Sequence, residues 1–330
     1  MAVLENLTEE ERLQIAKKAR LLEKKARELY ENGEYERAGL LYGWAGYAQM
    51  QLQSCEDAAY NYGQSGEAYK RIGDWLKAGL SYSLSGEAYE NAEKWLGAGL
   101  NYSQSGYAYE QGKDYQKAGE SYRRAGEAYK ETGKWQEVAL SYQLSGEACK
   151  TAKAWRAAGL SFAQSGTAYK KAFLWSGAEE NFCKAKLAYI EAGAYEDASA
   201  MYYEEMLMKR MLMKKGSLKR TASFIYDFLC GYGEKPKNIV LNCILVIVFF
   251  AIIYFITDGL VYSGNGYVYE NIFARFFYSL YYSAMTFITA NHSEFEPKDY
   301  IRPFVVLEAF IGIFLIILFV LVVARKMMRR

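Results

Sequence analysis

One unit of 20 residues repeats across the first two thirds of this 330-residue chain. An aromatic returns at Tyr35, Trp75, Trp95, Tyr115, Trp135, Trp155, Trp175 and Tyr195, with Cys55 in the remaining slot. A second series runs through Tyr42, Tyr62, Tyr82, Tyr102, Tyr122, Tyr142, Phe162, Phe182 and Tyr202. A third runs through Tyr69, Tyr89, Tyr109, Tyr129, Tyr169 and Tyr189, with Cys149 in the gap. Gly46, Gly66, Gly86, Gly106, Gly126, Gly146 and Gly166 keep the same period, usually after Ser. Inside one unit, such as Trp75 to Tyr89, the recurring positions stand three, four and seven apart. That is the face of a helix, not the alternation of a strand. A helix of about 15 residues and a short turn fill each unit, with turn marks at Gly73-Asp74, Gly112-Lys113 and Gly133-Lys134. Two units make a helical hairpin, and stacked hairpins make an α-solenoid. A helical Gly costs about 1 kcal/mol against Ala, so the Ser-Gly pair is expected where a neighbouring backbone comes close.

The recurring Ala-x-x-Tyr and Trp-x-x-Ala-Gly motifs over roughly residues 30–205 resemble the tetratricopeptide-like repeats of the soluble NSF attachment proteins. The resemblance implies an all-α solenoid that binds other proteins. The aromatic series reads as intra-repeat core in preference to a ligand groove. This region has no phosphate loop and no histidine, so nothing in it suggests catalysis.

Composition changes sharply near residue 238. Residues 1–237 are polar, and residues 238–330 are dominated by Ile, Val, Leu and Phe. A net charge of +2 on 78 charged residues gives no reason to expect a nucleic-acid partner. The five cysteines lack metal-ligand spacing, so free thiols in a reducing compartment and no metal site are expected. Residues 1–25 are charged, with a capping box from Thr8 to Glu11, and do not read as a secretory signal. The segment Glu204 to Lys215 is either the last solenoid helix or a connector, and Ser223 to Cys230 is amphipathic, as for a helix at a membrane interface. The expected domains are a solenoid at 1–215, an interfacial linker at 216–237 and a membrane module at 238–330.

Ile239 to Thr257 is a 19-residue apolar segment, long enough for one crossing, and Phe304 to Ala324 is a second, interrupted by Glu308. Between them Phe273 to Phe287 is apolar but too short to span, which suits a re-entrant helix. Eight Lys and Arg between Lys209 and Lys237 precede the first span, and Arg325, Lys326, Arg329 and Arg330 follow the second. The loop between has only Arg275, Lys298 and Arg302. Both termini, and with them the solenoid, are therefore expected in the cytosol.

The loop reads Thr286-Phe287-Ile288-Thr289-Ala290-Asn291-His292-Ser293-Glu294-Phe295-Glu296-Pro297. Its frame, a pore helix ending in Thr-x-x-Thr, five filter residues, an acid and a later Pro, resembles the two-span pore-loop family of potassium-channel-like proteins. The resemblance implies a homotetramer in the plasma membrane. It also implies a filter at Thr289, Ala290, Asn291, His292, Ser293 and Glu294, and an inner helix in which Gly312 corresponds to a gating hinge or to a packing glycine. The filling departs from the family's Thr-Val-Gly-Tyr-Gly-Asp, because Asn291 and Ser293 replace glycines whose backbone freedom the carbonyl stack needs. Strict potassium selectivity is therefore not expected. Glu294 either faces the mouth or bonds behind the filter, and the sole histidine, His292, either titrates near neutrality or binds a transition metal, or else packs against the pore helix. Glu296 and Asp299 are expected at the outer mouth, while Glu308 must face protein or water. The earlier Gly231-Tyr232-Gly233-Glu234 precedes the first span without a pore helix, so it is a linker and not a filter.

The sequence thus reads as a homotetrameric cation channel without strict potassium selectivity, all-α, with no cofactor beyond permeant ions. Its solenoid is expected to meet an unknown cytosolic protein or ligand. The competing reading is a non-conducting scaffold in which the pore module tetramerises the solenoid, and an enzyme is not expected.

Overall fold

A computed structural model describes residues 8–262, 271–289 and 295–328. The chain divides into two compact units, Met1–Leu212 and Met213–Arg330.

The first unit contains helices α1 (Glu9–Glu31), α2 (Tyr35–Gln51), α3 (Cys55–Arg71), α4 (Trp75–Asn91), α5 (Trp95–Gln111), α6 (Tyr115–Glu131), α7 (Trp135–Thr151), α8 (Trp155–Lys171), α9 (Trp175–Glu191) and α10 (Tyr195–Leu212). Each packs chiefly on its sequence neighbours, which is the solenoid arrangement. The helices α2 to α9 each run 17 residues, so three residues remain for each turn. One turn residue in every unit takes the left-handed conformation, at Gly33, Gln53, Gly73, Glu93, Lys113, Gly133, Lys153, Phe173 and Gly193. Between α5 and α6 this residue is Lys113 (φ 61°), whereas Gly112 is right-handed at φ −76°. The turn therefore follows the period of the repeat and not the position of the glycine. The segment from Glu204 belongs to α10 and packs on α9 as a further solenoid helix.

The Ser-Gly pair has a double role. At Gly66, Gly86, Gly106 and Gly146 an added Cβ would lie 2.6–2.8 Å from the ring 16 residues later: Tyr82, Tyr102, Tyr122 and Phe162. The close neighbour is thus an aromatic ring and not a backbone. The adjoining serines donate across helices, Ser85 to the Ala59 carbonyl at 2.6 Å and Ser105 to the Gly79 carbonyl at 2.8 Å. Ser65, Ser145 and Ser165 repeat the bond. Each such buried bond contributes about 1 kcal/mol. Tyr42 to Phe182 of the second aromatic series are buried, so these rings form the core between helices.

In the second unit α11 (Leu218–Cys230) leads through a single turn at Gly231–Gly233 into α12 (Pro236–Thr257). Then come β1 (Leu260–Tyr262), α13 (Ile272–Phe287), β2 (Phe295–Pro297) and α14 (Arg302–Met328). The two strands pair antiparallel, Val261 opposite Glu296. At 22 and 27 residues, α12 and α14 reach about 33 and about 40 Å at about 1.5 Å per residue, enough to cross a membrane. The helix α13, of 16 residues, is shorter and packs against both.

Candidate functional site

The candidate side chains converge where α13 is wedged between α12 and α14. Glu308 of α14 has no solvent exposure. Tyr254 of α12 donates its hydroxyl to Glu308 Oε2 at 2.6 Å, and Ser283 of α13 bonds Oε1. Ser283 Oγ also lies 2.8 Å from the Ile247 carbonyl of α12. A serine hydroxyl has one proton. Tyr254 and Ser283 thus each donate to one Glu308 oxygen, with the Ile247 carbonyl as a second acceptor for Ser283. The acid therefore ties three helices together from the interior and does not line a free surface.

One turn further along α14 stands Gly312. A Cβ here would fall 2.2 Å from the carbonyl oxygen of Phe287, the last residue of α13. The absence of a side chain at Gly312 is what lets the end of α13 sit against α14. Leu315, Ile239, Phe287 and Val322 complete an apolar cluster around this contact. Beyond it the chain turns at Thr289, which is left-handed (φ 58°), and its hydroxyl bonds the Ile288 carbonyl at 2.7 Å. Left-handed backbone is uncommon for a threonine. Ala290, Asn291, His292, Ser293 and Glu294, the rest of the expected filter, lie outside the described residues.

At the loop's outer edge Glu296 is exposed on β2, and Asp299 forms a surface ion pair with Arg302 at 3.2 Å. Asp258, which carries no motif in sequence, gathers both Arg275 (3.3 Å) and Lys298 (3.4 Å). All three loop cations are therefore paired with carboxylates. Across residues 258–302 five acids against three bases leave each chain at −2.

Sequence reasoning found Glu308 and Gly312 but not Tyr254, Ser283 or Asp258. Tyr254 and Ser283 sit 54 and 25 residues from Glu308. The only signal for them was the need for partners that a carboxyl inside an apolar span creates.

Comparison with known proteins covers both units. Residues 24–230 match the family model described as "Soluble NSF attachment protein, SNAP". Residues 239–329 match the model described as "Ion channel". Among solved structures, the crystal structure of BtubC (BKLC) from P. vanneervenii is similar at 17% identity, covering 62% of this chain and 88% of that one, with a TM-score of 0.33. No curated protein matches.

Proposed function

Because the chain belongs to the soluble NSF attachment protein family across residues 24–230 and carries an ion-channel domain at 239–329, we propose that it is a homotetrameric, cation-conducting channel of the cell membrane. Its helical repeats would act as a cytosolic sensor or assembly platform. The observation that carries this reading is the wedge of α13 between two helices of membrane-crossing length, fixed by Glu308 and Gly312. Irregular backbone at membrane depth is stable only when buried in protein or lining a water-filled path. One chain with two crossings cannot enclose such a path, so several copies are required, and the resemblance to two-span pore-loop channels favours four.

Cations are the favoured cargo on charge. Asp258 and Asp299 pair the loop's basic residues, and four copies would carry a formal −8 between the spans. The C-terminal, partly negative end of each α13 adds to this field. Asn291 and Ser293 in place of two glycines argue against a full stack of carbonyl sites, so sodium and potassium should both pass. The basic residues leading into α12 and closing α14 support cytosolic placement of both ends.

The altered filter also favours one competing reading, a membrane-anchored scaffold that tetramerises the repeats without conducting. Purified protein in liposomes separates the two. Flux under a cation gradient, absent in empty liposomes, supports the channel. An intact tetramer with no flux under any gradient supports the scaffold.

A further inference from the structure

The Gly231-Tyr232-Gly233-Glu234 segment is no filter, yet its construction is too tight for a passive spacer. Three successive residues are left-handed: Gly231 (φ 55°), Tyr232 (φ 56°) and Gly233 (φ 84°). A tyrosine in that region is strained and persists only where its surroundings hold it. Here the ring is fully buried, edge-on to Tyr226 at 5.6 Å, with its hydroxyl 2.8 Å from Ser223 Oγ. Asn242 of α12 donates to the Phe228 and Leu229 carbonyls at 3.1 and 3.3 Å, so α11, the turn and α12 form one piece.

That piece grips the end of α14. An added Cβ at Gly233 would lie 3.2 Å from Arg325 Nη1, and the buried Glu234 carboxylate stands 4.0 Å from Arg325 Nη2. One turn earlier on α14, Val322 shares an apolar cluster with Cys230 and Ile239. Glu234 is buried while the Arg325 side chain is 39% exposed, so the contact sits at the protein edge, backed by the apolar cluster beside it.

The geometry points to a clasp: Glu234 and Arg325 lock the C-terminal end of α14 to α11, so that a displacement of α11 is delivered to that end of the inner helix. The assignment rests on the proposed reading of α14 as the inner helix of a conducting pore. It gives the Gly-Tyr-Gly turn a role. The strained turn aims Glu234 inward, and the bare Gly233 leaves room for the guanidinium.

The test is a double-mutant cycle in full-length protein with Glu234→Gln, Arg325→Gln and both together. Two readouts are taken: the melting temperature in detergent and the single-channel open probability in bilayers. The clasp predicts that each single lowers the melting temperature and that the double loses no more than the worse single. It also predicts that each single shifts open probability at least threefold in one direction, with the double matching the singles. Additive melting losses would remove the contact. Coupled melting with unchanged open probability would reduce it to a structural tie and overturn the clasp. A wild type that passes no ion removes the conducting reading and the clasp's role with it, whereas unaltered singles on a conducting wild type remove the clasp alone.

Discussion

Replacing Gly312 by Ala separates two roles that a glycine in an inner helix can have. As a hinge, it lends flexibility, and alanine costs opening but not stability. As a packing glycine, it admits the end of α13, and alanine collides with it. The added Cβ would sit 2.2 Å from the Phe287 carbonyl oxygen and 3.1 Å from its carbon. Ordinary contacts begin at about 3.4 Å, so α14 and the end of α13 must separate by about 1.2 Å. The obstructing atom is backbone, which cannot rotate aside as a side chain would. Overpacking of this kind costs about 1–3 kcal/mol, and the upper end applies here. Helix propensity acts in the opposite direction, favouring alanine over glycine by about 1 kcal/mol. The sign of the stability change therefore identifies the role. Melting of the full-length protein in detergent should fall for Gly312→Ala. Ion flux should change as well, because the displaced residue lies two positions before Thr289. A melting temperature at or above wild type, with only the open probability reduced, would refute the packing account.

Glu308→Gln should leave melting near wild type, since the amide oxygen still accepts from Tyr254 and the amide nitrogen donates to Ser283, whose own proton serves the Ile247 carbonyl. Glu308→Leu strands the Tyr254 hydroxyl, while Ser283 keeps the Ile247 carbonyl, and should cost about 1–3 kcal/mol, read by the same melts. In the solenoid, Gly106→Ala drives a methyl to 2.6 Å from the Tyr122 ring and should destabilise by about 1–3 kcal/mol, read from thermal loss of helix by circular dichroism. Alkaline pH should loosen the repeats. Burial pushes the Tyr62 phenol up to about 12 and also raises Tyr82, Tyr102 and Tyr122, whose hydroxyls bond carboxylates. Groups raised in the folded state contribute stability below about pH 10 and lose it as pH climbs towards 12. Tyrosinate absorbance should therefore rise together with helix loss in this window. Ionisation of these phenols with the helices intact would contradict the burial argument.

The helical repeats were legible because their signal is local. A face recurring every three, four and seven residues forces a helix whatever packs on it, and the period of 20 sets its length. The spans and the short helix between them followed from apolar length alone. What escaped depends on packing across distance. The close neighbour of the repeat glycines is a ring from the next helix, and within the expected Gly112-Lys113 turn it is Lys113, not the glycine, that takes the left-handed conformation. No local pattern ties Tyr254 or Ser283 to Glu308, and Asp258 resembles any loop acid until Arg275 and Lys298 fold onto it. Gly312 was visible in sequence, but its reason was not, because a hinge and a close contact use the same residue.

The central claim is that the module at 239–329 passes cations through a ring that is not built for potassium alone. Reversal potentials of the reconstituted full-length protein test it most directly, first in a KCl gradient and then with sodium facing potassium. The account predicts a reversal near the cation equilibrium potential in the gradient and near zero with sodium against potassium. It further predicts that Glu294→Gln weakens the preference for cations. A reversal at the chloride potential, or a sodium–potassium reversal as large as that of a strict potassium filter, would contradict it.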